Sequence, residues 1–382
     1  MKAHPMRFVL APDSFKESMS ATVAVAAMKR GVRAVFADAE CIAVPMADGG
    51  EGTVDALVEA TGGEHVVAEV HDGLGRPVQA RYGLVREEEL AIIEIAAAAG
   101  FDLVAEADRD PRATSTFGVG ELIVDALNRG ASHFIVGLGS SATNDGGAGM
   151  LQALGARLLD RRGEDLPAGG AALSRLDRID LSMFEPRLAT AQFQIASDVT
   201  NPLLGPNGAS AIFGPQKGAD DVAVAELDLA LSTLARVVTS TTGRDVAMVS
   251  GSGAAGGLGA AFLAFFDAQM HRGVDVVMSA THFADRIVGA DYVLTGEGSV
   301  DAQTASGKAL LGVAEVSARH GVPVIAFAGR IGAGADALYP LGFAALVPII
   351  QEVSELPRAL AEGPMNLERA VATTCRLLAL CG

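Results

Sequence analysis

Lysines and carboxylates set among glycines, directly after short apolar runs, are the residues in this sequence whose types and spacing suit chemistry. Lys16 follows the apolar run Phe8–Ala11 in the segment Pro12-Asp13-Ser14-Phe15-Lys16. A lysine at a strand end is a compact charge well placed for a carboxylate or phosphate. Asp48 precedes Gly49-Gly50 in PMADGGEGT (45–53). Paired glycines ahead of a helix free backbone N–H groups for an anion, while Asp48 itself would cap that helix or bind a hydroxyl or metal. The segment GLGSSATNDGG (137–147) follows the strand pattern His133–Val136 and is rich in hydroxyls that suit phosphate oxygens. Asp198 ends the strand pattern Phe193–Ala196, and Lys217 follows in GPQKG (214–218). A second glycine run, GAAGGLG (253–259), competes with 137–147 as a phosphate loop. Finally TGEGSVDAQTASGKA (295–309) combines Glu297, Asp301 and Lys308. It is not a P-loop, because Ala302 and Ala309 replace the required glycine and hydroxyl. The parts nonetheless match phosphoryl transfer, which needs backbone donors and lysines on phosphates and carboxylates for Mg²⁺ or the acceptor hydroxyl.

The elements that must position these loops read as alternating strands and helices. Apolar runs at Phe8–Ala11, Cys41–Val44, Tyr292–Leu294, Val322–Ala328 and Phe343–Ile350 predict strands. Helical patterns span Ser20 (as cap) to about Asp38, Glu51–Ala60, Lys308–His320, and a last helix from about Asn366. Such βαβ units imply a parallel sheet, with ligands beyond the carboxyl ends of its strands. Between them, Val66–Val70, Val78–Leu84 and Leu90–Ile95 look antiparallel, followed by helical patterns at Phe117–Arg129 and Ala260–Met270. Val246–Val249 is a possible short strand. The expected fold is α/β: a Rossmann-like parallel-sheet domain from 1–66 plus 285–382, and an inserted mixed α/β domain over 67–284.

Composition narrows the function classes. Of 382 residues, 46 are Asp or Glu against 29 Lys or Arg, a net charge of −17 that repels phosphate backbones and anionic lipid. Nucleic acid and membrane are therefore not expected as partners. Cys41, Cys375 and Cys381 form no CxxC pair, and no HExxH spacing occurs, which excludes a disulfide framework or zinc ribbon. No signal-peptide core follows the N-terminus, so a cytoplasmic location is expected. Glycine makes up 45 of 382 residues, well above average usage of roughly 7%, so much backbone must turn tightly or approach something closely.

Taken together, PDSFKESMSA (12–21), PMADGGEGT, GLGSSATNDGGAGML (137–151), SDVTNPLLGPNGAS (197–210), FGPQKGA (213–219), GAAGGLG and TGEGSVDAQTASGKA closely resemble the bacterial type I glycerate kinases, in order and rough spacing. The family commonly has glycine where this chain has Glu17 and Ser140, and often serine at Thr304. The resemblance implies ATP- and Mg²⁺-dependent phosphorylation of D-glycerate to 2- or 3-phosphoglycerate in a two-domain cleft, with a homodimer allowed. A nicotinamide-dependent hydroxy-acid oxidoreductase is the alternative, built on the GxGxxA match Gly137–Ala142 and Asp160 further along.

The expected catalytic residues are Asp198, Lys16 and Asp48. Asp198 is favoured as base over Asp48, Asp145, Glu297 and Asp301, because it combines a strand end with a proline-stiffened loop. Asp13, Ser14, Gly49, Gly50, Asn201 and Lys217 are expected to bind glycerate. Gly137, Gly139, Ser140, Ser141, Thr143, Asn144, Gly146, Gly256, Gly257 and Lys308 are expected on ATP, and Asp145, Glu297 and Asp301 on the metal.

Overall fold

The structure, a computed structural model, describes residues 5–302, 304 and 309–381. Its strands in the first half are β1 (Arg7–Leu10), β2 (Glu40–Ala43), β3 (Glu64–His71), β4 (Pro77–Val85), β5 (Leu90–Glu94) and β6 (His133–Gly137). The remainder are β7 (Arg157–Leu159), β8 (Arg178–Asp180), β9 (Gln192–Ala196), β10 (Asp267–His271), β11 (Tyr292–Val300), β12 (Val324–Ile331) and β13 (Phe343–Pro348). The chain divides into two compact units, one of residues 1–48, 55–61 and 273–382, the other of 49–54 and 62–272.

The first unit holds a parallel sheet in the order β13-β12-β11-β1-β2. Succession runs outward from β1 to β2 on one side and from β11 through β12 to β13 on the other. The direction of winding therefore switches between β1 and β11, the position at which open α/β sheets bind ligands. Apolar side chains of Phe8, Leu10, Leu294, Ile325 and Phe327 face helices Ala21–Arg33 and Gly363–Cys381 in one core. Ser20 caps the first helix by accepting the Val23 N–H at 3.3 Å. That helix ends at Arg33 rather than about Asp38, and Phe36 turns in to pack at a tilt against Phe8 with ring centroids 5.7 Å apart.

The second unit is built on the sheet β10-β9-β6-β5-β4-β3. β4 is antiparallel to both of its neighbours, β3 and β5, whereas β6, β9 and β10 continue in parallel from β5. β5 was expected to be an antiparallel strand, and it is one only towards β4. Two further expectations fail here. Helix Ala254–Phe265 stops five residues short of Met270, and the alternating segment Asp267–His271 pairs instead with β9, where Phe266 packs on Phe193 at 4.8 Å. Val246–Val249 forms no strand; Val246 is buried in a turn whose Ala247 carbonyl accepts from Leu203 N–H at 3.0 Å.

The chain passes between the units at 48/49, 54/55, 61/62 and 272/273, whereas the sequence suggested 66/67 and 284/285. All of β3 belongs with β4 through a continuous ladder from Glu64 to His71. Helix Gly273–Ala280 belongs to the first unit, because Val274 and Met278 pack against Gly312 of helix Ala309–Arg319.

The two core helices of the first unit approach closely at Gly31, where a Cβ would lie 2.6 Å from the Glu368 carbonyl oxygen. Alanine ordinarily improves a helix interior over glycine by about 1 kcal/mol. At this position Gly31→Ala is expected to lower Tm instead, and a thermal melt at or above the wild-type value would contradict this packing.

Candidate active-site loops

In the first unit, the carboxyl ends of β1 and β11 bring together three of the segments singled out by sequence. The Asp13 N–H donates to the Gly296 carbonyl at 2.8 Å, and Met46 N–H to the Pro12 carbonyl at 2.9 Å. Thr295 Oγ1 donates to the Ala11 carbonyl at 2.7 Å, fixing the two strand ends. A Cβ on Gly298 would sit 3.4 Å from the Lys16 nitrogen, so the loops touch backbone to backbone. Asp13, Lys16, Asp48 and Glu297 thus share one neighbourhood at the switch point. Lys16 is exposed, Asp13, Ser14 and Asp48 are half-buried, and Glu297 is buried. Thr304 Oγ1 donates to Glu297 Oε1 at 3.0 Å and accepts from Asp301 N–H at 3.2 Å. Burial pushes the Asp13 carboxyl up to about 7, helped by the charges of Asp48 and Glu297 and opposed by the Ser14 N–H and Lys16. Lys308 lies outside the described residues.

The second unit assembles the remaining segments at the carboxyl ends of β6 and β9. Gly49 and Gly50 lie across these ends: a Cβ on Gly137 would meet the Gly49 oxygen at 2.3 Å, one on Gly139 the Gly50 Cα at 2.8 Å, and one on Gly49 the Ala196 oxygen at 2.9 Å. Beyond β9, Gly253 N–H donates to the Asn201 carbonyl at 3.0 Å, tying the loop of Asp198 to the second glycine run. Asp198 is exposed and Asn201 half-buried.

The two glycine runs interlock. Ala255, Gly256 and Gly257 carry φ values of 51°, 65° and 92°, a left-handed stretch that breaks the helix beginning at Ala254. Gly146 N–H donates to the Gly256 carbonyl at 2.9 Å. A Cβ on Gly256 would lie 2.1 Å from the Thr143 oxygen, and one on Gly257 would lie 2.9 Å from the Gly146 Cα. Gly146, Gly256 and Gly257 therefore serve contact between two loops, and all are buried. Of the expected ATP-binding stretch, Gly137, Ser141, Thr143 and Asn144 are buried as well, while Gly139 is half-buried and Ser140 exposed.

Asp145 and Lys217 lie inside the second unit rather than at its surface. The Asp145 carboxylate accepts from Thr116 N–H at 2.8 Å, Thr116 Oγ1 at 2.9 Å, and the Gly147 and Gly149 N–H groups at 3.1 Å each. It thereby caps two helix starts, at Phe117 and Ala148. Capping was the competing explanation for this residue, and its geometry leaves the oxygens engaged by protein donors. Lys217, expected on glycerate, is 2% exposed, and its Nζ donates to the Thr143 carbonyl at 2.6 Å. Burial raises the Asp145 carboxyl and lowers the Lys217 ammonium to about 7, each shift opposed by its polar or charged neighbours. No group of three or more His, Cys, Asp or Glu is placed to hold a metal among the described residues.

Sequence reading passes over Thr114, Thr116, Ser210 and Thr304. Thr114 Oγ1 donates to the Ala142 carbonyl at 3.0 Å, and Asn144 Nδ2 donates to Ser210 Oγ at 2.9 Å. The run Thr114-Ser115-Thr116 ahead of a helix was the available signal for an N-terminal cap. The GxGxxA match does not open a helix, since the next one starts at Ala148. Asp160 caps a turn by accepting from Arg162 and Glu164 N–H groups at 2.8 and 3.0 Å. The dinucleotide reading has no support in this geometry.

These features define a class: a two-unit α/β enzyme with an acid-and-lysine cluster at a sheet switch point and interlocked glycine loops. The chain belongs to the glycerate kinase family, which it matches over residues 8–379. It is 46% identical over 362 residues to the glycerate kinase of Halalkalibacterium halodurans, covering 95% of each chain. It is 44% identical to the glycerate 2-kinase of Escherichia coli K12, covering 98% of each. The crystal structure of a candidate glycerate kinase 2 from Salmonella typhimurium LT2 superposes with a TM-score of 0.91, at 45% identity and 99% coverage of both chains.

Two expectations follow from the site geometry. Ser140 holds φ 57°, a left-handed conformation that costs a side-chain-bearing residue about 1 kcal/mol. Ser140→Gly is therefore expected to raise the urea midpoint, and a lowered midpoint would show that the serine side chain repays the strain. The second concerns pH. A carboxyl raised from 3.8 to about 7 keeps its proton in the folded state after the unfolded chain has lost it, so stability falls as pH rises across that interval. In metal-free buffer, wild type should lose more Tm between pH 5 and 8 than Asp13→Asn. Equal losses would remove Asp13 as the cause.

Proposed function

We propose that the chain transfers the γ-phosphoryl group of ATP, with Mg²⁺, to the C2 hydroxyl of D-glycerate, giving 2-phosphoglycerate. The observation that carries this reading is the convergence of Asp13, Lys16, Asp48 and Glu297 at the switch point between β1 and β11. Phosphoryl transfer is mostly positioning and charge stabilisation, and this is the set of groups it requires. Choice of the C2 hydroxyl is supported by the E. coli relative, named a glycerate 2-kinase.

Lys16, exposed beside Asp13, is assigned to an anion, either the substrate carboxylate or a transferring phosphoryl oxygen. Asp13 is assigned as proton acceptor for the hydroxyl. It lies just beyond the end of β1 with its N–H held by the Gly296 carbonyl, and a carboxyl near 7 is well matched to a base working at neutral pH. Asp198, the residue favoured from sequence, is the competing base; it sits on the exposed loop after β9. Glu297, held by Thr304, and Asp301 are assigned to Mg²⁺, which commonly takes one or two carboxylates alongside phosphate oxygens. Mutual repulsion among Asp13, Asp48 and Glu297 fits such a cation, which would relieve it. When bound, the ion would neutralise charge on the transferring phosphate.

Nucleotide phosphates are assigned to the loop tip Gly139-Ser140, the part of 137–147 that is not buried. Gly50, Gly52 and Asn201, also partly open, are assigned to the second unit's ligand-facing edge. Cytoplasmic location fits a chain in which no helix among the described residues is long and apolar enough to cross a membrane.

Glycerate-dependent ADP release with Mg-ATP, together with phosphorus NMR of the product, tests the reaction. A C3-phosphorylated product would overturn the regiochemistry alone, whereas absence of turnover would overturn the reading. Lys16→Ala is expected to lower kcat/KM by about a hundredfold or more, near 2.7 kcal/mol, and a change under about threefold would return Lys16 to a surface role. Asp13→Asn should cut kcat strongly with smaller changes in either KM. If Asp13→Asn retains near-normal kcat while Asp198→Asn abolishes turnover, the base is Asp198.

A further inference from the structure

We infer that Lys217 is a positioning residue for the loop 137–147, acting through the Thr143 carbonyl to hold the exposed tip Gly139-Ser140 in one conformation. The inference rests on the proposed role of that tip in binding ATP phosphates.

The loop is anchored at nearly every residue behind its tip. Ala142 N–H donates to the Ala99 carbonyl at 2.8 Å, and the Ala142 carbonyl accepts from Thr114 Oγ1 at 3.0 Å. Thr143 N–H donates to Ser141 Oγ at 3.2 Å, and the Asn144 amide reaches Ser210. Asp145 is fixed by its Thr116, Gly147 and Gly149 donors. The Thr143 carbonyl takes its donor from a different part of the chain, Lys217 Nζ at 2.6 Å. The turn that carries Lys217 is itself fixed. Lys217 N–H donates to the Gly214 carbonyl at 2.9 Å, and a Cβ on Gly218 would lie 2.3 Å from the Arg109 oxygen.

A buried ammonium is a costly way to satisfy one carbonyl, since removing the charge from water is expensive unless it is paired. Asp145 supplies the opposite charge, and its field raises the Lys217 ammonium against the effect of burial. Lys217 and the donors to Asp145 thus hold the two ends of Thr143-Asn144-Asp145. A neutral core would hold this segment with less cost but without a directional grip on the carbonyl. The Thr143 oxygen also faces Gly256 closely enough that any Cβ there would collide at 2.1 Å, so a shift of the carbonyl is transmitted to the second glycine run. Lys217 is 2% exposed and separated from solvent, which removes it from direct contact with glycerate or ATP.

The test compares Lys217→Met, which keeps length without a donor, with Lys217→Gln, which keeps a shorter uncharged donor. Steady-state kinetics are run in the full chain well below each variant's Tm. Lys217→Met is expected to raise KM for ATP about tenfold or more, and Lys217→Gln about three- to tenfold, with KM for glycerate within about twofold of wild type. A merely structural residue would lower the active fraction, and so kcat, with both KM values unchanged; that result overturns the proposal. If KM for glycerate rises in place of that for ATP, positioning by Lys217 stands and the nucleotide assignment of the tip fails. Should Lys217→Met not fold, Lys217→Gln decides alone: a KM shift of about threefold or more supports positioning, and unchanged values for both substrates overturn it.

Discussion

A carboxylate with no exposed surface, Asp145, is the constraint on which the second unit's architecture turns. Two helix starts and the Thr116 hydroxyl are aimed at it and oppose the upward shift that burial imposes on its carboxyl. Those donors fix where helices Phe117–Asn128 and Ala148–Ala153 begin, and hence how the loop after β6 must run. Glycine at 146 and 147, with φ of 61° and 79°, lets the chain make that turn. Gly256 and Gly257 let the neighbouring run lie against it. Polar satisfaction and close backbone packing are here one requirement: the donors reach Asp145 only if the loops come this near.

The first unit solves a different electrostatic problem. Asp13, Asp48 and Glu297 gather like charge at the ends of β1 and β11, and the structure offsets it with Lys16, the Ser14 N–H and Thr304. Buried Asp145 is locked by protein donors, whereas half-buried Asp13 is left in tension.

Much of this was legible in the sequence. The βαβ rhythm at both chain ends, the Ser20 cap, and the placement of polar glycine segments after strands follow from periodicity and capping rules that act locally. The helix-to-strand change after Phe265 was not legible, because the alternation of Asp267–His271 matters only once β9 is alongside. Roles inside the glycine loops were also hidden. Gly256 and Gly139 look alike in sequence, yet one is buried against Thr143 and the other is half-open beside Gly50. Lys217 misleads for the same reason: a lysine next to glycine and proline reads as a surface anion site, and only tertiary contact shows its Nζ turned inward to a carbonyl. Strain at Ser140 and Ala255 is visible in the backbone angles alone.

Hydrogen bonds hold the loop 137–147 from behind and leave a small open tip at Gly139-Ser140 in the free protein. Hydrogen exchange followed by mass spectrometry across this segment, with and without nucleotide, tests it most directly. Amides from 142 to 147 are expected to exchange slowly in the free protein and change little on addition of Mg-ATP, while those at 139 and 140 exchange fast and become protected. Rapid exchange throughout 142–147 in the free protein, with protection appearing only when nucleotide binds, would contradict it.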